Sequence, residues 1–402
     1  MAKQIIVLGA TGDIGSQALE LLRYSFDYGL VGVAFKSNCT AFEKNLPYFD
    51  KVNCIAIENK EAADEFISRH SAYKKTVFSG EDGIKKLLSY YPNATVLNAI
   101  SGNDGIIPTL LALENDQDLL LANKESYVVG SSLMKEKMKT YNGMVYPIDS
   151  EHVGLSKCLR YISKHHKDNE LRKMTITASG GALRDFPLEK MANAKKEDVL
   201  KHPTWKMSSK ITVDCATLVN KGYEVIEASE MFSVPVDMIE AVICRDSLVH
   251  AGVYFMNHKK GEYLACFEYS PCDMKVAIAF ALSKGKLGMH ICNIDEYEDL
   301  QRHVKEFVPI DKKRYPLFYL TKKCFAKYGN EGMFYYNAVD TKAIEAFLAD
   351  EIMFFEIQKA LEYIVDNMPR LERLSENNLK KFISSSEIYA TELLNKKSWR
   401  LL

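Results

Sequence analysis

The residues best able to do chemistry in this chain fall into two sets, and the first is a glycine loop. Gly9-Ala10-Thr11-Gly12-Asp13-Ile14-Gly15 follows a short apolar run at 4–8 and opens a stretch with Ile14, Leu19, Leu21 and Leu22 at helical spacing. Glycines let a backbone approach a pyrophosphate closely, and a helix N-terminus offers unsatisfied N–H groups and the positive end of its dipole. The G-x-x-G-x-x-G spacing differs from the commoner G-x-G-x-x-G. The strand before it and the helix after it therefore carry the reading of a dinucleotide site over that of a plain tight turn. The next apolar run ends in Ala34-Phe35-Lys36-Ser37-Asn38. A site for NAD places Asp or Glu at that point, to hold the ribose 2′-hydroxyl. This chain has no carboxylate there. Lys36 with Ser37 suits a 2′-phosphate, which predicts NADPH, the plainer alternative being a solvated lysine.

The second set is acidic and anion-binding. Pro147-Ile148-Asp149-Ser150-Glu151-His152 reads as the end of a strand, where residues i and i+2 share a face, so Asp149 and Glu151 are expected to converge. Neighbouring carboxylates repel unless a cation sits between them, and oxygen ligands select hard ions such as Mg²⁺ or Mn²⁺. The segment from Asn220-Lys221 to Glu227 is a source for a third ligand, Glu224 or Glu227, with Asn220 and Lys221 suited to an anion. An Asp-x-Glu pair that is only solvated fits the same spacing. Thr177-Ala178-Ser179-Gly180-Gly181 follows a strand, and its small residues form a nest for phosphate. Lys124, in Ala122-Asn123-Lys124-Glu125-Ser126, also follows a strand, at the sheet edge where ligands bind. His202-Pro203-Thr204-Trp205-Lys206-Met207 reads as a lid whose indole covers a ligand, or as a Trp that anchors a loop to the core.

The elements that must position these residues follow from the apolar pattern. Runs at 4–8, 30–35, 54–57, 96–100, 119–122 and 144–148 alternate with helical stretches, which predicts a Rossmann-like, doubly wound parallel sheet over 1–150. Strands are expected at 174–178, 211–213, 241–244 and 263–267 of a central α/β domain over 151–292. A charged linker at 293–312 contains the loop-like Val308-Pro309-Ile310-Asp311, and a helical domain at 313–402 has helices at 341–354, 356–365 and 379–394. At 402 residues, 47% hydrophobic and 26% charged, the chain has material for sizeable cores. A net charge of -1 argues against nucleic acid or a membrane surface as partner. No apolar run approaches the length of a membrane-spanning helix, and no signal peptide is read at the start. The nine cysteines include no C-x-x-C pair and fit reduced thiols in the cytoplasm.

Taken in order, these strings resemble the 1-deoxy-D-xylulose 5-phosphate reductoisomerase family. The resemblance rests on Gly9–Gly15, Leu121-Ala-Asn-Lys-Glu-Ser126, Pro147-Ile-Asp-Ser-Glu-His152, Thr177-Ala-Ser-Gly-Gly181, His202-Pro-Thr-Trp205, Lys210-Ile-Thr-Val-Asp214, Asn220-Lys-Gly-Tyr-Glu224 and Asp273-Met274. Beyond about residue 280 it is loose and holds through helical character and Asn337-Ala338. It implies a homodimer whose central domain also dimerises. It further implies a reaction that rearranges a ketose phosphate on a metal and then reduces the resulting aldehyde with NADPH. By matched position it implies that Asp149, Glu151 and Glu224 hold the metal, and that Lys124, Ser150 and Glu151 contact the reacting hydroxyls. Ser179, Asn220 and Lys221 would bind the phosphate with His202 nearby, under a lid carrying Trp205 and Met207. Gly9, Thr11, Gly12, Asp13, Ile14, Lys36, Ser37, Asn38, Asn123, Glu125 and Met274 are assigned to NADPH.

The chain departs from the family pattern at several points. Cys215 stands where the family has a phosphate-binding Ser, Thr204 where it has Asn, and Ser208 where it usually has Gly. Ser101-Gly-Asn-Asp-Gly105, Arg245-Asp-Ser247 and Asn337-Ala-Val-Asp-Thr341 replace Val-Gly-Ala-Ala-Gly, Pro-Gln-Ser and Asn-Ala-Ala-Asn-Glu. These departures keep two other functions in view: a reductoisomerase or reductase of another ketose phosphate, and a non-catalytic NADPH sensor, against which the complete acidic triad argues.

Overall fold

The computed structural model describes residues 2–71, 76–165, 169–205, 207–286 and 306–401. The chain forms two compact units. The first holds the residues up to Ser126, then Leu133–Val153, then the segment that begins at Asp273. The second holds Tyr127–Ser132, Gly154–Cys272 and the C-terminal region. The sequence reading kept 273–292 with the central domain, whereas the helix Met274–Leu282 buries Ile278, Ala281 and Leu282 in the core of the first unit. Of the expected linker, 293–305 lies outside the described residues.

The first unit is built on β1 (Lys3–Leu8), β2 (Tyr28–Phe35), β3 (Cys54–Ile57), β4 (Val77–Ser79), β5 (Thr95–Asn98), β6 (Leu119–Leu121) and β7 (Val145–Pro147). They form one parallel sheet in the order β4-β3-β2-β1-β5-β6-β7. Strands β3, β5 and β6 are buried along their whole length, as expected of a sheet covered on both faces. The order reverses between β1 and β5, which opens a crevice at the carboxyl ends of these strands. The short β4 has no counterpart in the sequence reading.

The second unit has a mixed sheet of β8 (Glu170–Ala178), β9 (Ile239–Cys244), β10 (Val249–Asn257), β11 (Glu262–Tyr269) and β12 (Phe307–Pro309), in the order β11-β10-β8-β9-β12. Strands β8 and β9 are parallel, and the other pairs are antiparallel. The expected loop at 308–311 is in part the edge strand β12. Pro309 is tolerated there because an edge strand can spare an N–H. Strand β10, paired between β11 and β8, was missed from sequence.

The expected strand at 211–213 is instead part of the helix Ser209–Thr217. Its Ile211 faces outward while Thr212, Val213, Ala216 and Thr217 are buried, and Lys210 bonds Asp214 one turn on. That spacing outweighs the β-preference of three consecutive β-branched residues. The C-terminal helices run Pro316–Leu348, with a break at Gly329, then Phe354–Asp366 and Leu379–Lys396. The expected helix at 341–354 is therefore interrupted after Leu348. Among the described residues, no helix is long and apolar enough to cross a membrane.

Candidate active site

In the first unit, the glycine loop follows β1 at the reversal of strand order. Gly9 has φ +76°, and a Cβ there would lie 2.5 Å from the Ala99 carbonyl oxygen just past β5. Gly15 lies so close to the Gly9 carbonyl oxygen that a Cβ would stand 2.1 Å from it. The helix Asp13–Leu22 begins at Gly12 with no side-chain cap, so its first-turn N–H groups have no side chain of their own as acceptor. Thr11 and Ile14 are half-buried, and Gly12 and Asp13 are exposed. This cradle fits a dinucleotide pyrophosphate. Lys36, Ser37 and Asn38 are exposed immediately past β2, with the Asn38 side chain capping the next helix through the Ala41 N–H. The exposure of Lys36 and Ser37 fits a 2′-phosphate and a solvated lysine alike.

Two residues assigned to the cofactor stand elsewhere than on an open face. Asn123 is buried, and its amide donates to the carbonyls of Ile100 and Gly102 at 2.9 and 2.8 Å and to Glu125 at 3.0 Å. It shapes the loop after β5, and Glu125 is tied to it. Met274 begins its helix behind the capping Asp273 and packs against the apolar core of the first unit.

The acidic pair is on a helix start, not on a strand. Strand β7 ends at Pro147, and the helix Ser150–His165 follows at once. Asp149 caps it, its carboxylate accepting the Glu151 N–H at 3.2 Å and its carbonyl the Val153 N–H at 2.9 Å. A side chain that satisfies first-turn N–H groups ends a strand and begins a helix. Glu151 comes one helical step after Ser150, whose hydroxyl donates to the Glu151 carboxylate. Lys124 Nζ lies 2.6 Å from Asp149 Oδ2, and buried His152 Nδ1 lies 2.9 Å from Asp149 Oδ1. Asp149 thus already holds a cation, and its oxygens with those of Glu151 fit a hard divalent ion.

In the second unit, Asn220, Lys221, Glu224 and Glu227 lie on the helix Val219–Phe232. The Glu224 carboxylate accepts the Asn220 amide and pairs with Lys221, and Lys221, Glu224 and Glu227 are buried. Buried ions are costly unless matched, and here Lys221 and Glu224 match one another one turn apart. Past β8, Gly180 and Gly181 both take positive φ, +84° and +64°. Ser179 Oγ accepts the Gly181 N–H at 3.1 Å and lies 3.0 Å from His202 Nε2. His202 Nδ1 accepts the N–H groups of Thr204 and Trp205, which puts the ring proton on Nε2 facing Ser179. Burial, with the Arg184 cation as a second cause, lowers the His202 pKa to about 4. The ring therefore stays neutral at physiological pH and fixes Ser179 with its own hydroxyl hydrogen directed away from His202. The Trp205 indole meets the buried His250 edge-on at 6.2 Å. Cys215 is half-buried on the helix Ser209–Thr217, and its carbonyl lies where a Cβ on Gly181 would fall.

The sequence reading missed several residues that shape these loops. Arg184 and Tyr315 bond the carbonyls of Ser179 and Gly180, Ser247 Oγ lies 3.3 Å from Thr204 Oγ1, and His152 orients Asp149. Two of these had left a trace: His152 at the end of the Pro147–His152 string, without a role, and Arg245-Asp-Ser247 as a departure from a pattern.

The comparisons with known proteins agree along the chain. Residues 5–131 match the family model described as 1-deoxy-D-xylulose 5-phosphate reductoisomerase. Residues 145–232 and 269–392 match two models described as C-terminal domains of the same enzyme. The 1-deoxy-D-xylulose 5-phosphate reductoisomerase of Thermotoga neapolitana is 34% identical over 380 residues, 93% of each chain. A relative of that name in Bacillus thuringiensis subsp. konkukian is 31% identical over 402 residues, 99% of this chain and 100% of its own length. The solved reductoisomerase from Zymomonas mobilis in complex with NADPH has TM-score 0.81 at 26% identity, covering 98% of this chain and 99% of that one. A DOX-P reductoisomerase in complex with NADPH, fosmidomycin and magnesium has TM-score 0.83 at 27% identity, covering 98% of each.

Proposed function

This chain belongs to the 1-deoxy-D-xylulose 5-phosphate reductoisomerase family, and on that premise we propose how its residues divide the reaction. It converts 1-deoxy-D-xylulose 5-phosphate to 2-C-methyl-D-erythritol 4-phosphate with NADPH and a divalent metal. The proposed division assigns Asp149, Glu151 and Glu224 to Mg²⁺ or Mn²⁺, and Lys124, Ser150 and Glu151 to the reacting hydroxyls. Ser179, Asn220 and Lys221 take the phosphate, with His202 and Cys215 beside it and Trp205 on the lid. The loop Gly9–Gly15 with Lys36 and Ser37 takes NADPH.

The observation that carries this division is that Lys124, Lys221 and Ser179 are each already set by a partner within their own unit. Lys124 stands 2.6 Å from Asp149, Lys221 pairs with Glu224, and neutral His202 lies 3.0 Å from Ser179 Oγ. The metal supplies Lewis acidity for the enediolate-type charge, and NADPH supplies hydride to the aldehyde. The remaining work falls to side chains. The Lys124 ammonium offsets negative charge on a reacting oxygen, and Glu151 accepts a proton from a substrate hydroxyl. Ser150 donates to Glu151 and keeps lone pairs for a sugar hydroxyl. Ser179 and Lys221 hold the phosphate, so the sugar reacts from one orientation. We further propose that the enzyme works as a homodimer in the cytoplasm.

The test is a direct assay with the pure protein, NADPH, Mn²⁺ and 1-deoxy-D-xylulose 5-phosphate, following the loss of NADPH absorbance. Steady oxidation is expected. No oxidation there, with turnover on a different ketose phosphate, would overturn the substrate; NADPH binding without turnover on any sugar phosphate would overturn catalysis altogether.

A further inference from the structure

The loop Ser179-Gly180-Gly181 has no long helix behind it to orient its peptides, yet its two outward carbonyls are both held. The Ser179 carbonyl accepts Arg184 Nη1 at 2.9 Å, and the Gly180 carbonyl accepts the Tyr315 hydroxyl at 2.8 Å. The same Arg184 Nη1 donates to the Arg245 carbonyl at 3.1 Å. Arg184 Nε and Nη2 both reach Asp185 Oδ2, at 3.0 and 2.9 Å, and Arg245 Nη2 takes Asp185 Oδ1 at 2.6 Å. A Cβ on Gly180 would stand 2.8 Å from both Cγ and Cδ of Arg184, so the arginine stem lies flat across that glycine. Burial opposes ionisation of Asp185, but its bonds to Arg245 and Arg184 prevail and bring its carboxyl below the usual range. The result is a planar guanidinium gripped on both edges, with its side chain mostly buried.

A peptide group is planar, and its carbonyl and N–H point in opposite directions. Holding the Ser179 carbonyl on one side therefore sets the Gly180 N–H on the other. We propose that Arg184 is a positioning residue for the substrate's phosphate: clamped by Asp185 and Arg245, it fixes the Ser179–Gly180 peptide so that the Gly180 N–H and the Ser179 hydroxyl face the anion. This rests on the reading of Ser179 as a phosphate ligand. Arg184 acts through the peptide and does not itself touch the substrate. The clasp is also particular to this chain at one end, because Arg245 lies in the Arg-Asp-Ser string that replaces the family's Pro-Gln-Ser. A lysine at 184 has one donor head and no planar fork, so it cannot serve both carbonyls and Asp185 together.

The test uses the full-length enzyme with NADPH and Mn²⁺, and inorganic phosphate as a competitive inhibitor. Arg184→Ala is expected to raise both the substrate KM and the phosphate inhibition constant by about 10- to 100-fold, as loss of a charge-assisted hydrogen bond implies. The KM for NADPH and kcat should stay within about threefold. Arg184→Lys should fall between the variant and the parent, and Arg245→Ala should shift the same two constants by about two- to fivefold. If Arg184→Ala does not fold, these two milder variants carry the test. Ser179→Ala separates the premise from the proposal. If it leaves phosphate inhibition unchanged, Ser179 is not a phosphate ligand and the premise fails. If it weakens phosphate inhibition while the Arg184 and Arg245 variants do not, the premise stands and the proposal is overturned. Equal rises in the KM values for substrate and NADPH would assign Arg184 a general structural role and overturn it too.

Discussion

Two glycine loops, each at the end of a β-strand, present backbone to anions in different ways. The loop Gly9–Gly15 is shaped by main chain against main chain, with Gly9 pressed on Ala99 and Gly15 on Gly9, and it runs straight into a ten-residue helix. Its donors are oriented by the helix itself. The loop Ser179–Gly181 leads into no such helix, and its peptides are held by side chains, one from Arg184 close by in the chain and one from the distant Tyr315. The first loop is intolerant of any side chain at its contact points and is held by main chain, its Gly9 and Ala10 N–H groups bonding the Ala34 carbonyl. The second depends on the side chains around it, and three of this chain's departures from its family, Cys215, Arg245 and Asp340, lie in the same unit.

The comparison can be broken in four ways, from the largest expected effect down. Glu151→Gln should lower kcat by about 1,000-fold while NADPH affinity, measured by fluorescence titration, stays within about twofold. Equal loss of both would mean that the acidic site and the glycine loop are not separate functions. Gly15→Val should weaken NADPH binding by about 100-fold or more, because even its Cβ meets a carbonyl oxygen at 2.1 Å. Normal NADPH binding by that variant would show that the first loop, too, can adapt.

Cys215→Ser tests the second loop more gently. A hydroxyl is a stronger donor than a thiol, and the substrate KM should fall about three- to tenfold if position 215 reaches the phosphate. An unchanged KM removes it from the pocket.

The smallest effect concerns packing behind the loop. Lys210 Nζ bonds Asp214 at 2.8 Å and Asp340 at 3.2 Å. Burial, and then the charge of Asp214, raise the pKa of Asp340 well above the usual carboxyl value. The unfolded chain releases that proton near pH 4, so between there and the folded-state pKa the folded protein binds more protons. Its stability therefore falls as pH rises through that window. Asp340→Asn has no proton to lose, so its advantage should grow over the same window and reach about 2–4 °C in Tm at the alkaline end. The KM should not move. A Tm difference independent of pH would mean that Asp340 is ionised in the fold.

What was legible in the sequence is what contiguous residues decide. The glycine loop, the parallel sheet around it, the missing carboxylate after β2 and the ordered strings of the family all depend on neighbours in the chain, through local backbone freedom and the periodicity of burial. Where local signals competed, the reading failed. The Asp149–Glu151 segment looked like a strand end, but the Asp149 side chain satisfies the first turn of a helix. Residues 211–213 have strand formers' side chains, but their burial follows a helical spacing. The clasp on the second loop was beyond reach altogether. Arg184 meets the Arg245 carbonyl 61 residues away, and Tyr315 meets Gly180 across 135 residues. Such contacts are not written in any one segment; they exist only once the folded chain has placed both ends, because a hydrogen bond needs its donor and acceptor within about 3 Å whatever their separation in sequence.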